Sequence, residues 1–337
     1  MSSVKRRERI LVIVDPYAED HPAVSRAVHL AKRLGMSIDL FSCYYEPPLA
    51  SYVAAPFLPY TDNCEATLQQ QLGLLHDLAE PYEKEKIDIT IKAAWDSPMY
   101  EGIVREVLRS TPRIVMKETH YHSAISRALF SNTDWQLIRQ CPAPLWLVKP
   151  NGDFSEPTIM AAVDPADAAD PDASLDALIL AEAIDLSAQL DGQVHAVHAF
   201  DVAPEIAAAV NSIVSISSID ADDIIEKANT VHTEALADLM SRFALPAEQV
   251  HMRTGNATDL IPYLARELSA TLVVMGAVNR GRRERVIIGS TAERVLDHLP
   301  CDVLIIKPAG FVSSITLQSI PRSYLQVDQE HIFDLAA

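Results

Sequence analysis

Two short runs in the second half of the chain carry the residues best suited to hold an anion. Gly289-Ser290-Thr291 stands just before Ala292, Val295 and Leu296, which recur at helical spacing. Glycine lets a phosphate approach the backbone, the hydroxyls and exposed N–H groups of a first helical turn can bind its oxygens, and the helix dipole favours negative charge. Met275-Gly276 ends one apolar run and Asp164 follows another, Thr158–Val163. In an open parallel sheet, ends of this kind converge where the strand order reverses. Between the glycines lie Asn279 and the basic run Arg280–Arg285. Guanidinium forks match phosphate oxygens, while a solvated loop that balances neighbouring acids is the plainer reading of the run.

Other candidates are weaker. His120 and His122 flank Tyr121 close to Glu118, and an H-x-H pair on an extended segment puts both rings on one side. Zinc would need a further ligand, so these are read as structural or surface histidines and no metal site is assigned. The other nine of the 11 histidines are scattered without ligand spacing. No nucleophile elbow, zincin helix or P-loop lysine is present, so no catalytic residue is assigned.

The chain has 337 residues and a net charge of -18. A phosphate backbone would be repelled, which argues against nucleic-acid partners. Residues 1–150 carry 17 basic and 18 acidic groups and residues 151–337 carry 11 and 28, so the acidity belongs to the second half. Cys43, Cys64, Cys141 and Cys301 lie far apart without a C-x-x-C pair, which fits a reducing, cytoplasmic setting. The apolar run after the basic start is too short for a signal-peptide core, and no uncharged stretch is long enough for a bilayer span.

The positioning elements repeat. RILVIVDP (9–16) recurs as TIMAAVDP (158–165), and residues 116–150 align without a gap on 274–308. At that offset Thr133 falls on Thr291 and Pro142 on Pro300. Each half alternates short buried-type strands with helical segments, which predicts two tandem, doubly wound, parallel five-stranded α/β sheets. In the second half the strands are expected at 158–163, 193–200, 249–253, 272–275 and 303–306. Residues 1–150 form the first domain, 151–157 a linker, 158–310 the second domain, and 311–337 a tail. Two uncharged stretches, 47–60 and 206–219, would lie over the sheet ends. They either line a pocket for a hydrophobic small molecule or pack internally.

Gly276, the twelve residues after it, and Gly289-Ser290 give the spacing by which the chain resembles the universal stress protein (Usp) family, in its tandem form. The middle position of the family pattern is glycine, and here it is Asn279. The resemblance implies a Rossmann-like, adenine nucleotide alpha hydrolase-like fold and a stress-response module that binds ATP in the second domain. Asp164 would then accept from the adenine or ribose edge, Met275 would flank the base, and Gly276, Asn279, Gly289, Ser290 and Thr291 would surround the phosphates. It further implies an internal pseudo-dimer paired through Leu145–Lys149 and Val303–Lys307, with association of two chains left open. A slow ATPase and a carrier of a hydrophobic metabolite stand as alternatives. In the first domain the positions matching Gly276, Asn279 and Gly289 are Glu118, Tyr121 and Ser131. That crevice is therefore expected to be filled by bulk and not to bind ATP in the family manner.

Overall fold

A computed structural model describes residues 8–44, 60–122, 127–150, 154–167, 170, 173–203, 221–276, 290–317 and 325–327. Of the residues named above as candidates, Asn279, Gly289, the Arg280–Arg285 run and the stretches 47–59 and 206–219 lie outside this set. So do the side chains of His120, Tyr121, His122, Ser290 and Thr291.

The chain divides into two units, Met1–Asn151 with Phe311–Ala337, and Gly152–Gly310. The first contains β1 (Arg9–Ile13), α1 (Pro22–Leu34), β2 (Ser37–Tyr44), α2 (Tyr60–Ala79), β3 (Ile89–Trp95), α3 (Met99–Ser110) and β4 (Ile114–Glu118). It continues with the short antiparallel ribbon β5 (His120–His122) and β6 (Arg127–Leu129), then α4 (Asn132–Gln140) and β7 (Leu145–Val148). Its strands run β7-β4-β1-β2-β3, all parallel, so the order reverses between β1 and β4. Ile10, Leu11, Val12, Val115 and Met116 are wholly buried. Unbroken apolar runs of this kind fit parallel strands covered on both faces.

The second unit repeats the plan with β8 (Thr158–Val163), α5 (Ser174–Gln189), β9 (Gln193–Phe200), α6 (Ala221–Met240), β10 (Val250–Thr254), α7 (Ala257–Glu267), β11 (Leu272–Gly276), α8 (Ser290–His298) and β12 (Asp302–Ile306). Its order is β10-β9-β8-β11-β12, again parallel, with the reversal between β8 and β11. β4 and β11 both span five residues, and α4 and α8 begin at positions that match in the gapless alignment.

Local signals set the boundaries. Pro22 opens α1, where a missing N–H is harmless, and Gly35 closes it at φ 67°, a left-handed turn that glycine adopts without strain. Ser131 and Asp134 cap α4 reciprocally: Ser131 Oγ accepts from the Asp134 N–H at 3.2 Å, and Asp134 Oδ2 accepts from the Ser131 N–H at 2.7 Å.

In the first unit Asp39 on β2 accepts from Arg9 Nη1 at 2.7 Å and from Lys92 Nζ at 2.5 Å. Lys92 also donates to Glu106 Oε1 at 3.1 Å, and Glu106 Oε2 accepts from Arg109 at 2.5 Å. Asp39, Lys92 and Glu106 are at most 3% exposed. Each buried charge therefore has an opposite partner in contact, the condition under which such charges are tolerated.

Part of the segment expected as a tail belongs to the first unit. Gln140 Oε1 accepts from the hydroxyls of Ser313 and Ser314, and β13 (Leu325–Val327) pairs antiparallel with β3. The physical reason is the free edge of β3, whose backbone groups an added strand satisfies.

Candidate functional site

In each unit the strand order reverses between two neighbouring parallel strands, the place where an open sheet of this kind forms a crevice. In the second unit the register pairs Met275 with Ala162. Gly276 thus ends β11 beside Val163, and Asp164 follows immediately. The fold brings together Asp164, Met275 and Gly276, the described members of the sequence-derived set. Asp164 donates its N–H to Asp176 Oδ1 at 2.9 Å, and Asp176 is wholly buried at the start of α5. Its own side chain remains 58% exposed at the mouth of the crevice, whereas Met275 is buried. A Cβ on Gly276 would come within 2.8 Å of Leu175 Cδ2, so the glycine also serves the close packing of α5 against β11.

The same crevice holds residues that sequence reasoning passed over. His198 on β9 pairs in register with Val163 and is wholly buried. Its Nδ1 lies 3.0 Å from the Val163 carbonyl oxygen, and its Nε2 lies 2.9 Å from Nδ1 of His232 on α6. Asp164 Oδ1 is 3.9 Å from His198 Nδ1. Phe200, two positions along the same face of β9, stacks on the His232 ring at 4.0 Å between centroids. The usable signal was the Val-Asp pair: the neighbouring strand in register with it presents an imidazole. His195 and His251 form a separate pair, Nδ1 to Nε2 at 3.0 Å, on β9 and β10. Burial lowers both of their pKa values; His251 further lowers that of His195, and Arg253 that of His251.

The first unit corrects the expectation of a filled crevice. A cavity of about 390 Å³ opens there, lined among others by Asp15, Tyr17, Cys43, Gln71, Glu118 and Ser131. Glu118 lines it without closing it because β4 ends at that residue and Lys117 is turned to Asp134 Oδ1, at 2.9 Å. Burial pushes the Glu118 carboxyl up to about 7, with Asp15 and Asp20 adding and Lys117 opposing. Burial and the Asp96 carboxylate also raise the Cys43 thiol strongly, which disfavours the reactive thiolate. On the floor, Ser42 Oγ donates to Gln71 Oε1 at 2.8 Å and Gln71 Nε2 donates to Tyr17 Oη at 2.9 Å. Ser131, the match of Gly289, is committed to capping α4.

These features define a doubly wound α/β domain present twice, with different residues at the two strand-order reversals. The profile of the universal stress protein family matches residues 6–149 and 157–307. The chain belongs to that family. It is similar to Universal stress protein E of Escherichia coli strain K12, 30% identical over 314 residues, 92% of this chain and 97% of that relative. It is also similar to Universal stress protein E of Photorhabdus laumondii, 29% identical over 309 residues, 90% of this chain and 96% of that one. Among solved structures it resembles a putative universal stress protein from Pseudomonas aeruginosa UCBPP-PA14, with a TM-score of 0.68, 25% identity, and coverage of 90% of this chain and 94% of that chain. Among the described residues no helix is long and apolar enough to cross a membrane.

Proposed function

We propose that the chain is a cytoplasmic stress-response binding module whose second unit holds an adenine nucleotide. The observation that carries this reading is the register at the β8–β11 reversal, which sets Asp164 beside Gly276 within one crevice, together with the spacing from Gly276 to Gly289-Ser290. In this reading Asp164 meets the base or ribose edge, Met275 flanks it, and Gly276, Asn279, Gly289, Ser290 and Thr291 surround the phosphates at the start of α8. The cytoplasmic placement rests on Cys43, Cys141 and Cys301, which are buried thiols outside any disulfide.

The test is calorimetric titration of ATP into the intact chain. One saturable site is expected, lost on Gly289→Ala and strongly weakened on Asp164→Ala. No heat from the wild-type chain, or undiminished binding in both variants, overturns the reading. The cavity of the first unit favours a second role, the carriage of a small uncharged molecule, because its lining combines apolar side chains such as Ile13, Val14 and Met99 with the carboxyl groups of Asp15 and Glu118, which disfavour an anion. Native mass spectrometry of gently purified protein would then show an added mass that Glu118→Arg removes.

A further inference from the structure

We propose that Asp164, His198 and His232 form a binding site for a divalent transition metal of the zinc class at the mouth of the second unit's crevice. One ligand atom from each of the three lies within 4.8 Å of the other two. They come from three elements, the end of β8, the middle of β9 and α6, so the fold and not local spacing gathers them.

The hydrogen bonds fix the chemistry. A carbonyl oxygen only accepts, so the contact of His198 Nδ1 with the Val163 carbonyl at 3.0 Å places the proton on Nδ1. The neutral ring then directs its Nε2 lone pair at His232 Nδ1, 2.9 Å away. Without a metal, the Nδ1 proton of His232 bridges the two nitrogens. With a metal, His232 passes to its other neutral tautomer, its Nδ1 proton going to solvent while its Nε2 takes one up, and the ion takes the place of the bridging proton between two lone pairs. Ligand atoms around a tetrahedral ion with bonds of about 2.1 Å stand roughly 3.4 Å apart; the two imidazole nitrogens stand 2.9 Å apart and all three ligand atoms lie within 4.8 Å, so small shifts of the side chains would bring them to that spacing. The backbone carbonyl that orients His198 is the outer-sphere partner typical of ligating histidines. The 58% exposed Asp164 side chain has room to turn onto the ion, and Phe200 stacked on His232 holds that ring in place. Three protein ligands leave a fourth position for water or an anionic group of a bound molecule.

The first unit supplies an internal control. At the positions that correspond by register, Ser42 and Gln71 make a hydroxyl-to-amide hydrogen bond. Ser42 occupies the place of His198 and Gln71, the twelfth residue of its helix, that of His232. The scaffold thus accommodates both pairs, and only the imidazole pair suits a zinc-class ion.

The proposal does not depend on nucleotide binding, and its test uses metal alone. The intact chain, stripped with a chelator, is titrated with Zn²⁺ by calorimetry and with Co²⁺ by visible absorption. One ion per chain is expected at this site, with the visible bands of a four-coordinate Co²⁺ centre. His232→Gln, which copies the first unit's residue, should weaken binding by more than the ~100-fold that loss of an outer-sphere partner costs. Asp164→Asn should weaken it as well, and both variants should keep the metal-free melting temperature. A variant with His120 and His122 both changed to alanine should retain the site. Failure of the wild-type chain to bind, unchanged binding in His232→Gln, or loss of binding only in the His120/His122 variant overturns the proposal.

Discussion

Replacing Glu118 by glutamine should make the first unit more stable at alkaline pH and leave it unchanged in acid. The carboxyl is raised from 4.5 to about 7 in the folded chain. Between those values the unfolded chain has already released its proton while the folded chain retains it. Stability therefore falls as pH rises from 4.5 to 7 and levels off above, the sign expected of a group whose folded pKa exceeds its unfolded one. At ~1.36 kcal/mol per pH unit the full cost is ~3.4 kcal/mol. The side chain borders an open cavity where water screens part of that cost, so a gain of about 2 kcal/mol in Glu118→Gln at pH 8 is the working figure. The assay is urea unfolding followed by tryptophan emission, since Trp95, Trp135 and Trp146 are the only tryptophans and all lie in the first unit. Equal gains at pH 4 and pH 8, or no gain at pH 8, would refute the reasoning.

Two further outcomes can be checked. Lys92→Met should destabilise the first unit by about 3–5 kcal/mol in the same tryptophan assay, because it leaves Asp39 and Glu106 buried with one cation fewer; a change under ~1 kcal/mol would show that Arg9 and Arg109 suffice. His195 and His251, whose pKa values are lowered, should cost the second unit stability as pH falls below about 6.5, where the unfolded chain takes up protons that the folded pair resists. Changing both to glutamine should flatten that acid limb in hydrogen exchange of β9 and β10, and an unchanged limb would sink the assignment.

Much of the fold was readable because its cues are local. Alternation of short apolar runs with helical spacing placed β8 and β9 at their observed bounds and the other second-unit strands within a residue. The repeat was legible from Val-Asp-Pro and the gapless stretch alone. What escaped depends on contacts distant in sequence. β13 pairs with a strand more than two hundred residues earlier, and nothing in Leu-Gln-Val announces its partner. His198 and His232 are 34 residues apart with no ligand spacing, and only the register of β8 against β9 sets the first beside Asp164. The crevice of the first unit was misjudged because residue size was read without direction: Glu118 forms part of a wall, and Ser131 turns to its helix.

In an assembly of two identical chains, every substitution is made twice, so the two crevices must drift in step. Here one gene carries both copies in series, and a change at position 42 leaves position 198 untouched. The serine–glutamine floor of one half and the imidazole pair of the other record that freedom: each chamber can be retuned by selection while its twin keeps its earlier chemistry.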